Sequence, residues 1–121
     1  EVAGGLPTPR PPAEIAQGKG GRFVLTGEAR VIGRTGEDMT APFVRGARQA
    51  QDIARVRQIR IAILKEGSPS CGSGYIYDGS FAHVRLNLPG VTTAALEDIG
   101  VRVFSENQLD EAAAFIATLN Q

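Results

Sequence analysis

Ile61-Ala62-Ile63-Leu64-Lys65-Glu66-Gly67-Ser68-Pro69-Ser70-Cys71-Gly72-Ser73-Gly74 joins a short aliphatic run to a loop of small residues. The aliphatic run is bounded by Arg60 and Lys65, which predicts a buried strand over 60–64. Lys65 to Gly74 holds the chain's one cysteine, Cys71, together with three serines and three glycines. A strand whose carboxyl end opens into such a loop is where an open α/β sheet places its ligand. Glycine reaches backbone conformations that other residues resist and lets a ligand approach the main chain. Pro69 fixes one backbone angle and biases Ser68 towards an extended shape. The loop is therefore expected to aim Cys71 outwards, among hydroxyls and unpaired amides.

Downstream, Tyr75 to Phe81 alternates aromatic and polar residues around an Asp78-Gly79 turn signal. Gly90-Val91-Thr92 opens a helix to about Ile99, with Thr92 as its cap and Gly100 as its stop. Val101 to Phe104 reads as a strand. Ser105-Glu106-Asn107-Gln108 caps a last helix, Leu109 to Leu119, in which Leu109, Ala112, Ala113, Ile116 and Leu119 share a face. Upstream, Thr40 to Arg57 has the clearest helical period, with Phe43, Ala47, Ala50 and Ala54 on one face, widened by Val44 and Ile53, and Thr40 as cap. Phe23–Thr26 and Ala29–Ile32 read as short strands, and Ala13-Glu14-Ile15 as a brief turn. Helix and strand alternate in the second half, which argues for an α/β fold: a three-layer sandwich with a mainly parallel sheet covered by helices on both faces. Right-handed crossovers gather the loops at one sheet edge, so the Cys71 loop is expected beside the turn before Thr92.

The 121 residues fit one domain, 1–121, with one core. Thirteen basic residues balance 13 acidic ones, so no global field favours nucleic acid or an acidic membrane. The arginines of the 40–57 helix read as a solvated surface. A lone cysteine excludes an internal disulfide framework. No apolar run approaches a membrane span, and a cytoplasmic protein is expected. Four of the seven prolines lie in Leu6-Pro7-Thr8-Pro9-Arg10-Pro11-Pro12, a connector, a ligand for a proline-binding domain, or a stiff wall presenting Thr8 and Arg10 to a site.

The loop's chemistry has several readings. It lacks both the Gly-x-x-x-x-Gly-Lys-Ser/Thr and the Gly-x-Gly-x-x-Gly pattern of phosphate loops. A nucleophilic Cys71 needs a base, and the sole histidine is His83, twelve positions on. One cysteine cannot by itself hold zinc or an iron–sulfur cluster. A buried, inert thiol remains open.

Five stretches together resemble the thiouracil desulfurase family, once a domain of unknown function. They are Glu1 to Glu14, Ser68-Pro69-Ser70-Cys71-Gly72-Ser73-Gly74, Ile76 to Phe81, Gly90 to Leu96 and Gly100 to Glu106, in family order along nearly the whole chain. The resemblance implies an enzyme that exchanges C=S for C=O on thiolated pyrimidines such as 2-thiouracil. It implies a [4Fe-4S] cluster on three cysteines with one iron open to capture sulfur, and Cys71 matches the last of these ligands. The family has a Cys-Pro pair directly before the residue matching Glu1, and another cysteine on an earlier strand and loop. The sequence as given is thus expected to lack the family's amino-terminal segment, with that strand and two ligands. A carboxylate beside the cluster suits acid/base work, which falls to Glu1. Ser68 and Ser70 are expected to hydrogen-bond the base or a cluster sulfur, and Thr8 and Arg10 to line the substrate site. The expected partner is a small thiolated base, with no nucleic-acid polymer and no membrane, acting on a monomer or homodimer. The alternatives are a non-catalytic module binding a small sulfur compound or nucleobase, and a protein-interaction domain using Pro7 to Pro12.

Overall fold

A computed structural model of the chain describes residues 12–119. In chain order they form β1 (Ala13–Ile15), α1 (Gly21–Leu25), β2 (Val31–Gly33), α2 (Thr40–Val56), β3 (Ile61–Leu64), β4 (Ile76–Tyr77), β5 (Arg85–Leu86), α3 (Val91–Asp98), β6 (Arg102–Ser105) and α4 (Leu109–Leu119), with a 3-10 turn at Ala16–Gly18. β3 and β6 pair in parallel, Ile61 opposite Arg102 and Leu64 opposite Ser105. β1–β2 and β4–β5 are separate antiparallel pairs.

The fold is mixed α/β with helices on a parallel pair, but the expected mainly parallel sheet is not formed by the described residues. Parallel pairing needs a crossover that carries the chain back along a strand. The stretch from β4 through β5 and α3 to β6 supplies one. α1 does not: five residues advance the chain only about 7.5 Å.

The helix over 40–56 forms as its period predicts, burying Phe43, Ala47 and Ala54. Ile53, expected on that face, is exposed, and Gln51 is buried instead, its Nε2 donating to the Ala95 carbonyl at 2.8 Å. Met39, not Thr40, stands at the cap position. The Asp38 carboxylate accepts the Thr40 amide at 2.9 Å, and the Thr40 hydroxyl accepts the Val31 amide of β2 at 2.9 Å. The side chain thus ties helix to strand instead of capping its own turn.

Two other readings are corrected. Ala13-Glu14-Ile15 is a strand, because its amides and carbonyls meet those of β2. Phe23–Thr26 is not a strand: Phe23 to Leu25 are helical. A short apolar run is ambiguous between the two states, and here Gly21 decides it by packing on the backbone of Gly90. A Cβ at Gly21 would lie 2.1 Å from the Gly90 carbonyl carbon.

Three helices end alike. After α1, α2 and α3 the chain turns through positive φ at Gly27, Gln58 and Gly100. Paired backbone bonds close each end, for α3 Val101 N–H to Leu96 C=O and Gly100 N–H to Glu97 C=O. α4 begins as its sequence predicts: Ser105 Oγ accepts the Asn107 amide, and Gln108 Oε1 accepts the Ser105 amide at 2.9 Å.

α3 is the hub, with Val91 to Leu96 all buried. One side of the core gathers Ile15, Val24, Val31, Phe43, Ile76 and Val91; the other gathers Ala54, Leu96 and Val101. The parallel pair is narrow, so β3 is only partly covered and Ile63 is 48% exposed, contrary to a buried strand. For the same reason α4 buries only Ala112 of its expected face, while Leu109 and Ile116 stay exposed.

Candidate functional site

The loop after β3 docks on the amino end of α3, beside the turn before Thr92 as expected. The amides that a helix leaves unpaired at its start are taken by the loop's carbonyls. Val91 N–H donates to Pro69 C=O at 2.7 Å, Thr92 N–H to Ser70 C=O at 2.8 Å and Gly90 N–H to Gly72 C=O at 2.8 Å. Gly90 is the cap residue, and a Cβ there would sit 2.5 Å from the Pro69 oxygen. Thr92, expected as the cap, lies inside the helix, and its hydroxyl faces the Ser70 hydroxyl at 2.6 Å. Thr93 Oγ1 donates to the Cys71 carbonyl at 3.0 Å.

The amides from Ser70 to Tyr75 are taken within the loop, in place of the unpaired amides expected around the thiol. Ser68 Oγ accepts the Ser70 amide at 3.0 Å and the Cys71 amide at 3.2 Å. Gly72 N–H donates to Ser68 C=O at 2.9 Å. The Glu66 carboxylate accepts from Ser73, Gly74 and Tyr75 amides at 2.8 to 3.2 Å. Glu66 in turn donates its amide to Glu106 Oε1 at 2.9 Å, which fastens the loop to the start of α4.

Cys71 is half-buried and lines a cavity of about 520 Å³ with Lys65, Glu66, Gly67, Ser68, Tyr75 and Tyr77. Its thiol reaches Ser70 Oγ at 3.8 Å. Partial burial pushes the Tyr75 phenol up, with Arg85, stacked 4.2 Å from its ring centre, pulling the other way. The phenol is therefore a neutral hydroxyl at ordinary pH.

Gly67 and Tyr77 also border a second cavity of about 380 Å³, lined by Pro12, Glu14, Arg34, Phe81 and His83. Tyr77 meets Tyr75 on one side and His83 on the other, both edge to face. Phe81 and His83 both hold φ of 61°, a conformation costing a non-glycine residue about 1–2 kcal/mol. The Glu14 carboxylate offsets that cost by accepting the Gly79 and Phe81 amides at 2.9 and 3.2 Å. His83 lines this second cavity and not the one holding the thiol, so it does not stand as the base for Cys71.

Of the expected site residues, Ser68, Ser70 and Cys71 come together. Glu1, Thr8 and Arg10 lie outside the described residues. Sequence reasoning missed Glu66, Tyr77 and Arg34. A carboxylate preceding a Ser/Gly run is the one signal that pointed to Glu66; Tyr77 and Arg34 reach the site only through tertiary folding.

Among the described residues no three His, Cys, Asp or Glu side chains group as a metal site. They offer one thiol, in a cavity wall, which fits a single corner of an iron–sulfur cluster. None of the described helices is long and apolar enough to cross a membrane.

The described residues thus form a mixed α/β domain whose cysteine sits on a Ser/Gly loop pinned to a helix start. The family model for 2-thiouracil desulfurase matches residues 1–108, and the chain belongs to that family. It is 45% identical over 111 residues to the YbbK protein of Bacillus subtilis (strain 168), covering 92% of this chain and 73% of that protein. It is also similar to a solved structure of the [4Fe-4S]-dependent thiouracil desulfidase TudS, at 49% identity and a TM-score of 0.83, covering 97% of this chain and 70% of that one.

Proposed function

We propose that this protein removes sulfur from thiolated pyrimidines, converting 2-thiouracil and water to uracil and hydrogen sulfide. The exchange of C=S for C=O balances without an external oxidant or reductant. The observation that carries the reading is the docked loop itself: Ser68, Ser70 and Cys71 held rigidly on α3 at the wall of a cavity, in a chain 49% identical to a thiouracil desulfidase.

A [4Fe-4S] cluster would be held here by Cys71, and would supply a Lewis-acidic iron and an acceptor for sulfur. The described residues provide one of its ligands. Their own part is to position and to hydrogen-bond. Ser68 Oγ already accepts two amides, so both of its lone pairs are used and it can act only as a donor. That suits a hydrogen bond to the oxygen or sulfur of the base. Ser70 lies behind the thiol, between Cys71 and Thr92. The neutral Tyr75 hydroxyl and the flat faces of Tyr75 and Tyr77 suit a planar ring in the cavity. Glu1 is assigned to take the proton from the attacking water and to manage the proton at the ring nitrogen. Thr8 and Arg10 are assigned to the substrate site. The reading includes a single α/β domain with a mainly parallel sheet covered by helices on both faces. It places the protein in the cytoplasm as a monomer or homodimer, with a small thiolated base as partner.

The test is anaerobic reconstitution of the full-length protein with iron and sulfide, followed by addition of 2-thiouracil. Uracil and sulfide should appear together, and Cys71→Ser should abolish both. Unchanged 2-thiouracil in protein that shows cluster absorbance would sink the proposal.

A further inference from the structure

We infer that Thr92 is a positioning residue whose hydroxyl sets the direction of the Ser70 O–H. This rests on the desulfurase reading and assigns a role that the loop alone does not reveal.

Thr92 is 8% exposed and its neighbour Thr93 is fully buried. A threonine near a helix start ordinarily serves as a cap, but the capping here is done by others. The amides of Thr92 and Thr93 both donate to the Ser70 carbonyl, and Gly90 holds the cap position. The Thr92 hydroxyl therefore satisfies no helical amide. It crosses to a residue 22 positions away in sequence and meets Ser70 Oγ at 2.6 Å.

Two facing hydroxyls share one hydrogen, so the donor fixes the other's remaining hydrogen. With Thr92 donating, the Ser70 oxygen is an acceptor and its own hydrogen is aimed elsewhere. Cys71 Sγ lies 3.8 Å from that oxygen, on the wall of the cavity. In this structure the thiol is placed as donor to Ser70 Oγ; held as a metal ligand the sulfur would carry no proton, and the donors would then run Thr92 to Ser70 to Cys71 Sγ. Thr93 supports the same geometry from the backbone side by holding the Cys71 carbonyl. The first turn of α3 thus orients both the side chain behind the sulfur and the main chain beneath it.

The role separates from plain packing because Val keeps the shape of Thr and Ser keeps its hydroxyl. In reconstituted full-length protein, Thr92→Val should lower kcat for 2-thiouracil about tenfold or more, the scale of a small misplacement at a reacting centre. KM should stay within about twofold, and Thr92→Ser should restore kcat. Amide hydrogen exchange over residues 69–74 should match wild type in both variants, since the backbone bonds to α3 remain. Ser70→Ala combined with Thr92→Val should be no slower than Ser70→Ala alone, a comparison that removes both facing hydroxyls and so leaves neither orphaned. Unchanged kcat in Thr92→Val, additive losses in the double variant, or faster exchange over 69–74 would each overturn the assignment. A wild type that leaves 2-thiouracil intact would overturn the desulfurase reading, and this role with it.

Discussion

Ser68 illustrates how one hydroxyl can hold a site together. It accepts two amides of the cysteine loop, one of them that of Cys71. Ser68→Ala should cost about 1–3 kcal/mol, the penalty of stranding partly buried amides, measurable by urea denaturation, and should lower turnover as well. Asp38 makes a separate, pH-dependent contribution. The Thr40 hydroxyl and amide hold its carboxyl below the ordinary value. A carboxyl depressed in the folded state stabilises the fold above its unfolded pKa of about 3.9 and loses that contribution as pH falls through the folded value. Asp38→Asn should therefore show a shallower fall in Tm than wild type on acidification from about pH 5 to pH 2. At this scale the sequence was informative about residue type and poor about partners. Ser68, Ser70 and Cys71 were readable as a cluster because they are adjacent. Local rules give threonine the cap role at Thr40 and Thr92, whereas both hydroxyls reach across to another element.

Among elements, the junction of the loop with α3 governs the site. Gly90→Ala would force a methyl to within 2.5 Å of the Pro69 oxygen and 2.6 Å of the Ser70 oxygen. Both contacts are to backbone, so the loop must lift off the helix. We expect a loss above about 2 kcal/mol, on the scale of overpacking a tight contact. Activity should fall more steeply than Tm, measured in the same preparation. The element boundaries were legible where period or capping spoke: α2 from its stripe of alanines, α3 from Gly100, α4 from Ser105 and Gln108. They were not legible where three residues decide a state. Ala13–Ile15 is extended only because β2 lies alongside, and Phe23–Leu25 is helical only because Gly21 meets Gly90.

For the molecule as a whole, α3 belongs to both halves of the core, and this links site and stability. Phe43→Ala opens a cavity in one half and should cost about 3–5 kcal/mol, a large share of the roughly 5–15 kcal/mol typical of a domain. Unfolding should nevertheless stay a single transition by circular dichroism and by tyrosine fluorescence, because α3 cannot leave one half alone. Among the described residues, the layered parallel sheet expected from the helix–strand alternation is reduced to β3 and β6. The alternation lies in the second half of the chain, where β3 and β6 pair in parallel while β4 and β5 form an antiparallel pair of their own. One consequence lies at the amino end of α3. Helix starts attract anions through their exposed N–H groups, yet here those groups are plugged by the chain's own carbonyls from Pro69 and Ser70. The positive pole is discharged into backbone, so sulfate or phosphate buffers find no seat beside Cys71 at that pole.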